Sequence, residues 1–168
     1  MSEFKSMRVA RKFVREIEAT PEKIFPLLCP VKEFDWIEVW DCDVVFSESG
    51  VMENLCVFTT DDFDGVTGGV WVVSHYDSAN FRIEFVVTFP KTHVEKLEIQ
   101  LTRLDKGRTE IEWTRIGTSL NEAGSAYVKD YYGEQFNERT AMVLGLLEYY
   151  CKTGEMKKMD MDSHEYLS

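Results

Sequence analysis

A chain of 168 residues with 44% apolar and 13% aromatic side chains is the size of one domain, and at that length about 70% of the unfolded surface is buried on folding. That excludes intrinsic disorder and a small disulfide-stapled scaffold. Nineteen basic against thirty acidic residues leave a formal charge of -11, which opposes long-range attraction to phosphates and excludes nucleic acid as the expected partner.

The first eleven residues alternate charged and apolar types, and no later window reaches the 18 or so uncharged residues of a membrane-spanning helix. The expectation is a soluble, non-exported, cytoplasmic protein without membrane insertion, its four cysteines reduced and mostly packed as small apolar groups. Cys29, Cys42, Cys56 and Cys151 form no CxxC pair and have no ligand-like spacing to His75, His93 or His164. No metal and no cofactor are therefore expected. A homodimer is left open.

In chain order, Met7 to Glu18 reads as a strand, with Val9, Phe13 and Ile17 among charged neighbours. Thr20 then caps a helix with Pro21 at its first position and Ile24, Phe25, Leu27 and Leu28 as its apolar set. Pro26 and Pro30 interrupt that helix, predicting two short helical pieces that end near Trp36. From Val39 to Gly117 the character becomes a meander of six strands: Val39 to Phe46, Val51 to Thr59, Gly69 to Tyr76, Phe81 to Phe89, His93 to Leu104 and Arg108 to Gly117. The separators are short enough for antiparallel hairpins, and the stretch Gly65 to Gly69 reads as an entrance flap.

After Thr118 the period becomes helical. Ser119 and Glu122 predict a capping box, and Val128, Tyr132, Phe136, Val143, Leu146, Leu147 and Tyr150 line one face of a helix running from Leu120 to Lys152. Unbroken, it would be about 50 Å long. Gly124, Gly133 and Gly145 are candidate kink points, and Gly154 is a stop. The whole is an α+β fold: a curved antiparallel sheet of about seven strands wrapped around a long C-terminal helix, with two short helices after strand 1. The domain covers residues 1–155, and 156–168 is a loosely ordered tail. A curved sheet cannot interdigitate fully with its covering helix, so the space between them is a natural ligand pocket.

Glu18-Ala19-Thr20-Pro21-Glu22-Lys23-Ile24-Phe25 after the first strand, Trp36 after the short helices, the Tyr76 to Phe85 hairpin, and Glu112-Trp113-Thr114 before the terminal helix resemble the helix-grip superfamily. That group includes START lipid-transfer domains, the birch-pollen allergen family and polyketide cyclase/dehydrase-like proteins. Leu28-Cys29-Pro30-Val31-Lys32-Glu33, Ser47-Glu48-Ser49-Gly50, Cys56-Val57-Phe58 and Glu122-Ala123-Gly124-Ser125-Ala126-Tyr127-Val128 are more narrowly similar to uncharacterised bacterial members. The resemblance spans almost the whole chain. It implies the helix-grip fold, but no particular reaction.

Candidate site residues come from the last hairpin. If Asp105-Lys106-Gly107 is a three-residue turn, Leu104 opposes Arg108, Leu101 opposes Ile111, Ile99 opposes Trp113, and Leu97 opposes Arg115. Period two then turns His93, Glu95 and Arg115 inward, with Glu95 diagonal to Arg115. His93 and Glu95 are the candidate acid-base groups, and Arg115 would hold an anionic oxygen. The alternative is a strand-end ion pair of Glu95 with Arg115 beside a partly solvated His93. Arg139, between Phe136 and Val143 on the apolar stripe, is a second anion-binding candidate unless it snorkels to solvent. The aromatics Trp36, Trp40, Phe58, Trp71, Phe85, Trp113, Tyr127, Tyr132 and Phe136 divide between core and ligand contact. Cys42 and Cys56 would face each other across the Ser47 to Val51 turn if its register were even.

The expected function is binding or carriage of a hydrophobic small molecule, with an anionic group in the arginine reading. The rivals are a cofactor-independent cyclase, dehydratase or isomerase using His93 or Glu95 with an arginine for the oxyanion, and a protein-interaction module like chaperone-regulating helix-grip domains.

Overall fold

Period-two alternation and short turns build the sheet. In the computed structural model, which describes residues 3–61 and 68–159, β1 (Arg8–Ile17) leads into α1 (Pro21–Ile24), a 3-10 turn (Phe25–Leu28) and α2 (Pro30–Glu33). There follow β2 (Cys42–Phe46), β3 (Val57–Thr60), β4 (Val70–Asp77), β5 (Arg82–Phe89), β6 (His93–Asp105) and β7 (Arg108–Ser119). The seven strands form one antiparallel sheet in the order β1-β7-β6-β5-β4-β3-β2. The C-terminal helix comprises α3 (Glu122–Asp130), a π-helical segment (Tyr131–Gln135) and α4 (Phe136–Thr153), stopped by Gly154 at φ 71°. Among the described residues no helix is long and apolar enough to cross a membrane.

The caps explain where the short helices begin. The Thr20 side chain accepts from the Lys23 amide, and Pro21 opens α1. Pro30 opens α2, which ends after one turn. The hydrophobic core spans sheet and helices and includes Ile17, Ile24, Ile83, Ile111, Leu144 and Leu147. Each such side chain contributes roughly 1.5–3 kcal/mol by leaving water.

Several expectations are corrected. β2 starts at Cys42 and not Val39, and β3 starts only at Val57, because Glu53 folds residues 47–53 onto itself, accepting from Ser47 Oγ at 3.1 Å and from the amides of Glu48 and Ser49. Leu55 then takes a left-handed conformation, φ 64°, that a strand cannot contain. No capping box forms at Ser119. Its hydroxyl accepts from the Met7 amide at 2.8 Å, and Asn121 caps α3 by accepting from Gly124 N at 2.9 Å. Gly124 is required there: a Cβ would lie 1.8 Å from the Thr92 carbonyl oxygen, so α3 starts jammed against the β5–β6 turn. The kink expected at a glycine is a π-helical turn that contains Gly133.

Cys42 does not face Cys56. It pairs with Thr60, with its thiol 3.7 Å from the Pro30 carbonyl, while Cys56 is buried beyond the start of β3; all four cysteines are free. The β6–β7 register is as predicted from Leu97↔Arg115 to Leu101↔Ile111. At its tip a bulge leaves Leu104 unpaired and brings Asp105 opposite Arg108, so the loop is two residues long. Of the predicted tail, Lys158 and the Met159 amide both bind Glu38. Most of the predicted flap lies outside the described residues.

Candidate functional site

The inner face of the sheet is a continuous run of cross-strand neighbours. Phe58 pairs with Trp71, Trp71 with Val87, Val87 with Glu95 and Glu95 with Gly117; beside that row, Phe85 pairs with Leu97 and Leu97 with Arg115. Phe58, Trp71 and Phe85 pack ring to ring, the first two stacked at 5.4 Å between centroids and Phe85 edge-on to both. Opposite this face stand Leu28, Pro30, Glu33, Ile37, Val39 and Trp40 from α2 and its flanks, with Tyr127 of α3 and Val143 of α4 closing the side. Between them is a cavity of about 230 Å3, lined mainly by apolar and aromatic side chains.

One end is polar. Arg115 Nη1 donates to Glu95 Oε2 at 2.7 Å, and Glu95 Oε1 is 3.1 Å from His93 Nε2. His93 Nδ1 is 2.8 Å from Thr92 Oγ1. With Glu95 ionised, Nε2 carries the ring proton and Nδ1 accepts from Thr92. The imidazole is stacked between Phe89 and Tyr127, at 4.5 and 4.4 Å. Burial pushes the Glu95 carboxyl up, but the Arg115 charge and the His93 hydrogen bond outweigh it and hold it below its ordinary value. Arg115 also lies 6.0 Å from the centre of the Trp71 ring and 5.9 Å from that of Tyr131, while its buried Nε has no partner among the described residues.

The π-helical turn shapes this end. It places consecutive residues Tyr131 and Tyr132 in the interior, 6% and 1% exposed, where a regular helix would turn them about 100° apart. The Tyr132 ring rests on the backbone of Gly117, where a Cβ would come within 2.5 Å of it. The Tyr132 hydroxyl is buried without a partner among the described residues.

Glu33 is the residue that sequence reasoning missed. It is the last residue of α2 and half-buried, and its carboxyl lines the cavity without a hydrogen bond or ion pair among the described residues. Desolvation pushes that carboxyl up to about 8, against the opposing charge of Arg115. At neutral pH it is therefore mostly a carboxylic acid facing an apolar space. A single glutamate at the end of a one-turn helix opened by Pro30 carries no periodic signal.

Of the predicted residues, Trp40, Phe58, Trp71, Phe85, Glu95, Trp113, Arg115 and Tyr127 line the cavity. Trp36 does not: it is 1% exposed core, its indole donating to the Leu27 carbonyl at 2.9 Å. Tyr132 and Phe136 stack on each other behind the polar end. His93 is fully buried, not partly solvated, and reaches the cavity only through Glu95. Arg139 lies outside the cavity, with its guanidinium 5.5 Å from the Tyr131 ring centre. Among the described residues no group of histidine, cysteine and acidic side chains could hold a metal ion.

No family profile and no curated protein matches the chain in sequence. Solved structures match it in fold. The allergen Ara h 8.0201 superposes with a TM-score of 0.65 at 15% identity, over 88% of this chain and 99% of that one. Norcoclaurine synthase from Thalictrum flavum, in complex with dopamine and hydroxybenzaldehyde, gives 0.65 at 8% identity over 90% and 91%. The Zhui aromatase/cyclase from Streptomyces sp. R1128 gives 0.60 at 13% over 87% and 94%. With the sheet order above, these matches give the chain the helix-grip fold.

Proposed function

We propose that the protein binds a small, flat, largely apolar molecule between its sheet and C-terminal helix. The observation that carries the reading is the cavity itself: about 230 Å3 walled by Phe58, Trp71, Phe85 and Trp113, with one polar end. A dry cavity of about 150 Å3 already accommodates benzene, so this space suits one or two rings. The ligands of one structural neighbour, dopamine and hydroxybenzaldehyde, are of that size. Arg115 is neutralised by Glu95 and Arg139 lies elsewhere, which favours an uncharged ligand over the anion suggested by the arginines alone.

A second reading, acid-base catalysis on such a ligand, is favoured by a carboxylic acid and a buried His93–Glu95–Arg115 chain meeting the same space. The protein-interaction reading called for a filled cavity, and the open one supports ligand binding instead.

The test is native mass spectrometry of protein purified from its own host and of protein incubated with the two-ring compound 2-acetylnaphthalene. Val143 lines the cavity from α4, so Val143→Trp should plug it. The expected result is a noncovalent adduct in the wild type that the plugged variant lacks. Absence of any plug-sensitive adduct in either sample overturns the reading.

A further inference from the structure

Of the groups lining the cavity, Glu33 stands apart because the protein supplies nothing to complement it. Its backbone is committed to the turn that ends α2, its amide donating to Cys29 O and its carbonyl accepting from Trp36 and Ile37. Its carboxyl is left on the cavity wall with no partner among the described residues. Half-buried on that wall and without such a partner, the carboxyl is open to whatever occupies the cavity.

The charged and titratable groups that share this space come from every surrounding element. Arg115 is on β7, Glu95 on β6 and Tyr127 on α3, Asp41 and Asp61 flank β2 and β3 at the exposed rim, and Cys42 of β2 lies behind the lining against the Pro30 carbonyl. Arg115 is the cation among them, and its charge is paired with Glu95 through Nη1. Burial keeps the Cys42 thiol and the Tyr127 phenol protonated, both pushed up from their ordinary values. A carboxylate at Glu33 would thus face apolar walls, two further acids at the rim and a cation that is already paired. A carboxylic acid there can donate its proton to an acceptor from the α2 side, in addition to the Tyr127 hydroxyl and the Trp113 indole N–H that the other walls supply.

We infer that Glu33 is the specificity-determining hydrogen-bond donor of the cavity, selecting flat apolar ligands that carry a neutral acceptor oxygen such as a ketone, aldehyde, ester or amide carbonyl. The inference rests on the cavity reading and deepens it by naming the ligand class. An acid donor rewards a carbonyl, gives nothing to a plain hydrocarbon, and is lost when it ionises. A carboxylate ligand would bring a second anion into a space whose one cation is taken.

The test is calorimetric titration of the intact protein with naphthalene, 2-acetylnaphthalene and 2-naphthoate between pH 5.5 and 9.5, using wild type, Glu33→Gln and Glu33→Ala. In wild type, 2-acetylnaphthalene should bind about three- to tenfold more tightly than naphthalene, the worth of one net hydrogen bond, and this advantage should disappear as pH rises past about 8. Glutamine retains an N–H donor that does not titrate, so Glu33→Gln should keep most of the advantage at every pH, whereas Glu33→Ala should lose it at every pH. 2-Naphthoate should bind more weakly than the ketone throughout.

Equal binding of naphthalene and the ketone, or a ketone advantage that Glu33→Ala leaves intact, overturns the inference and leaves the cavity reading standing. Failure of all three compounds to bind overturns both. Infrared difference spectra of wild type against Glu33→Gln supply a ligand-independent readout: a protonated-carboxyl band at pH 6.5 that vanishes by pH 9.5 is expected, and a carboxylate signal already present at pH 6.5 contradicts the assignment.

Discussion

Glu95 and Arg115 meet at 2.7 Å across a diagonal of β6 and β7, with the carboxylate 1% exposed and the guanidinium side chain 19% exposed. The pair fills the place in the inner face where Leu97 and Gly117 are the direct partners of Arg115 and Glu95. It fixes His93 through the second carboxylate oxygen, and it removes the charge that an anionic ligand would otherwise seek.

Breaking the pair from one side should be severe. Glu95→Gln leaves a buried arginine uncompensated, and the expected loss is about 3–5 kcal/mol, whereas the double variant Glu95→Leu, Arg115→Met should recover much of it. Chemical denaturation of Glu95→Gln, of the single variants Glu95→Leu and Arg115→Met, and of the double variant checks this; additive losses would show that the groups do not act as a pair.

The pH dependence of stability separates the two buried carboxyls. Glu95, held below its ordinary 4.5 in the folded state, contributes stability that is present above that value and is lost as pH falls through the folded one. Glu33 acts in the opposite direction. Its proton leaves the unfolded chain near 4.5 and the folded one near 8, so stability falls as pH rises between those values and levels off above them. The decline is at most roughly 1.4 kcal/mol per pH unit. Denaturation midpoints of Glu33→Gln measured from pH 5 to 9 should show a shallower alkaline decline than wild type, with the largest relative gain at pH 9.

The Tyr132 hydroxyl has lost water without gaining a partner among the described residues. Tyr132→Phe removes that unsatisfied group and keeps the ring, so it should be neutral or stabilising by up to about 1 kcal/mol. Thermal unfolding measures it, and a marked destabilisation would reveal a bonded hydroxyl.

Gly117 should tolerate no side chain while Tyr132 lies on it. Gly117→Ala places a Cβ 2.5 Å from Tyr132 Cε2, and the expected cost is about 1–3 kcal/mol. In a Tyr132→Leu background the added methyl should cost less. Equal costs in the two backgrounds would mean that the glycine serves the strand and not the ring.

How much of this was legible in the sequence depended on whether a residue sat in a periodic element. The β6–β7 hairpin alternates cleanly and carries a turn signal, so the inward placement of Glu95 and Arg115 could be counted out from Asp105-Lys106-Gly107, even though the tip proved to be a bulge with a two-residue loop. The element order followed from the same periodicities, and the helix-grip fold from the resemblance carried by Glu18–Phe25, Trp36, the Tyr76 to Phe85 hairpin and Glu112-Trp113-Thr114. Glu33 was invisible because α2 is one turn long and the groups that desolvate it come from β7 and the flanks of β2 and β3. Trp36 looked like a ligand contact, yet its indole is spent on Leu27 O. The π-helical turn, which contains Tyr131 and the Tyr132 that packs on Gly117, leaves no pattern in a window read at 3.6 residues per turn. Leu55 is similar: nothing about a leucine announces a left-handed backbone.

The most direct test of the central claim is a crystal structure of the protein grown with 2-acetylnaphthalene. The naphthalene ring is expected between the Trp71–Phe85 wall and Trp113, its carbonyl oxygen within hydrogen-bond distance of the Glu33 carboxyl. A structure in which that space is closed by protein side chains, with the compound absent, would contradict it.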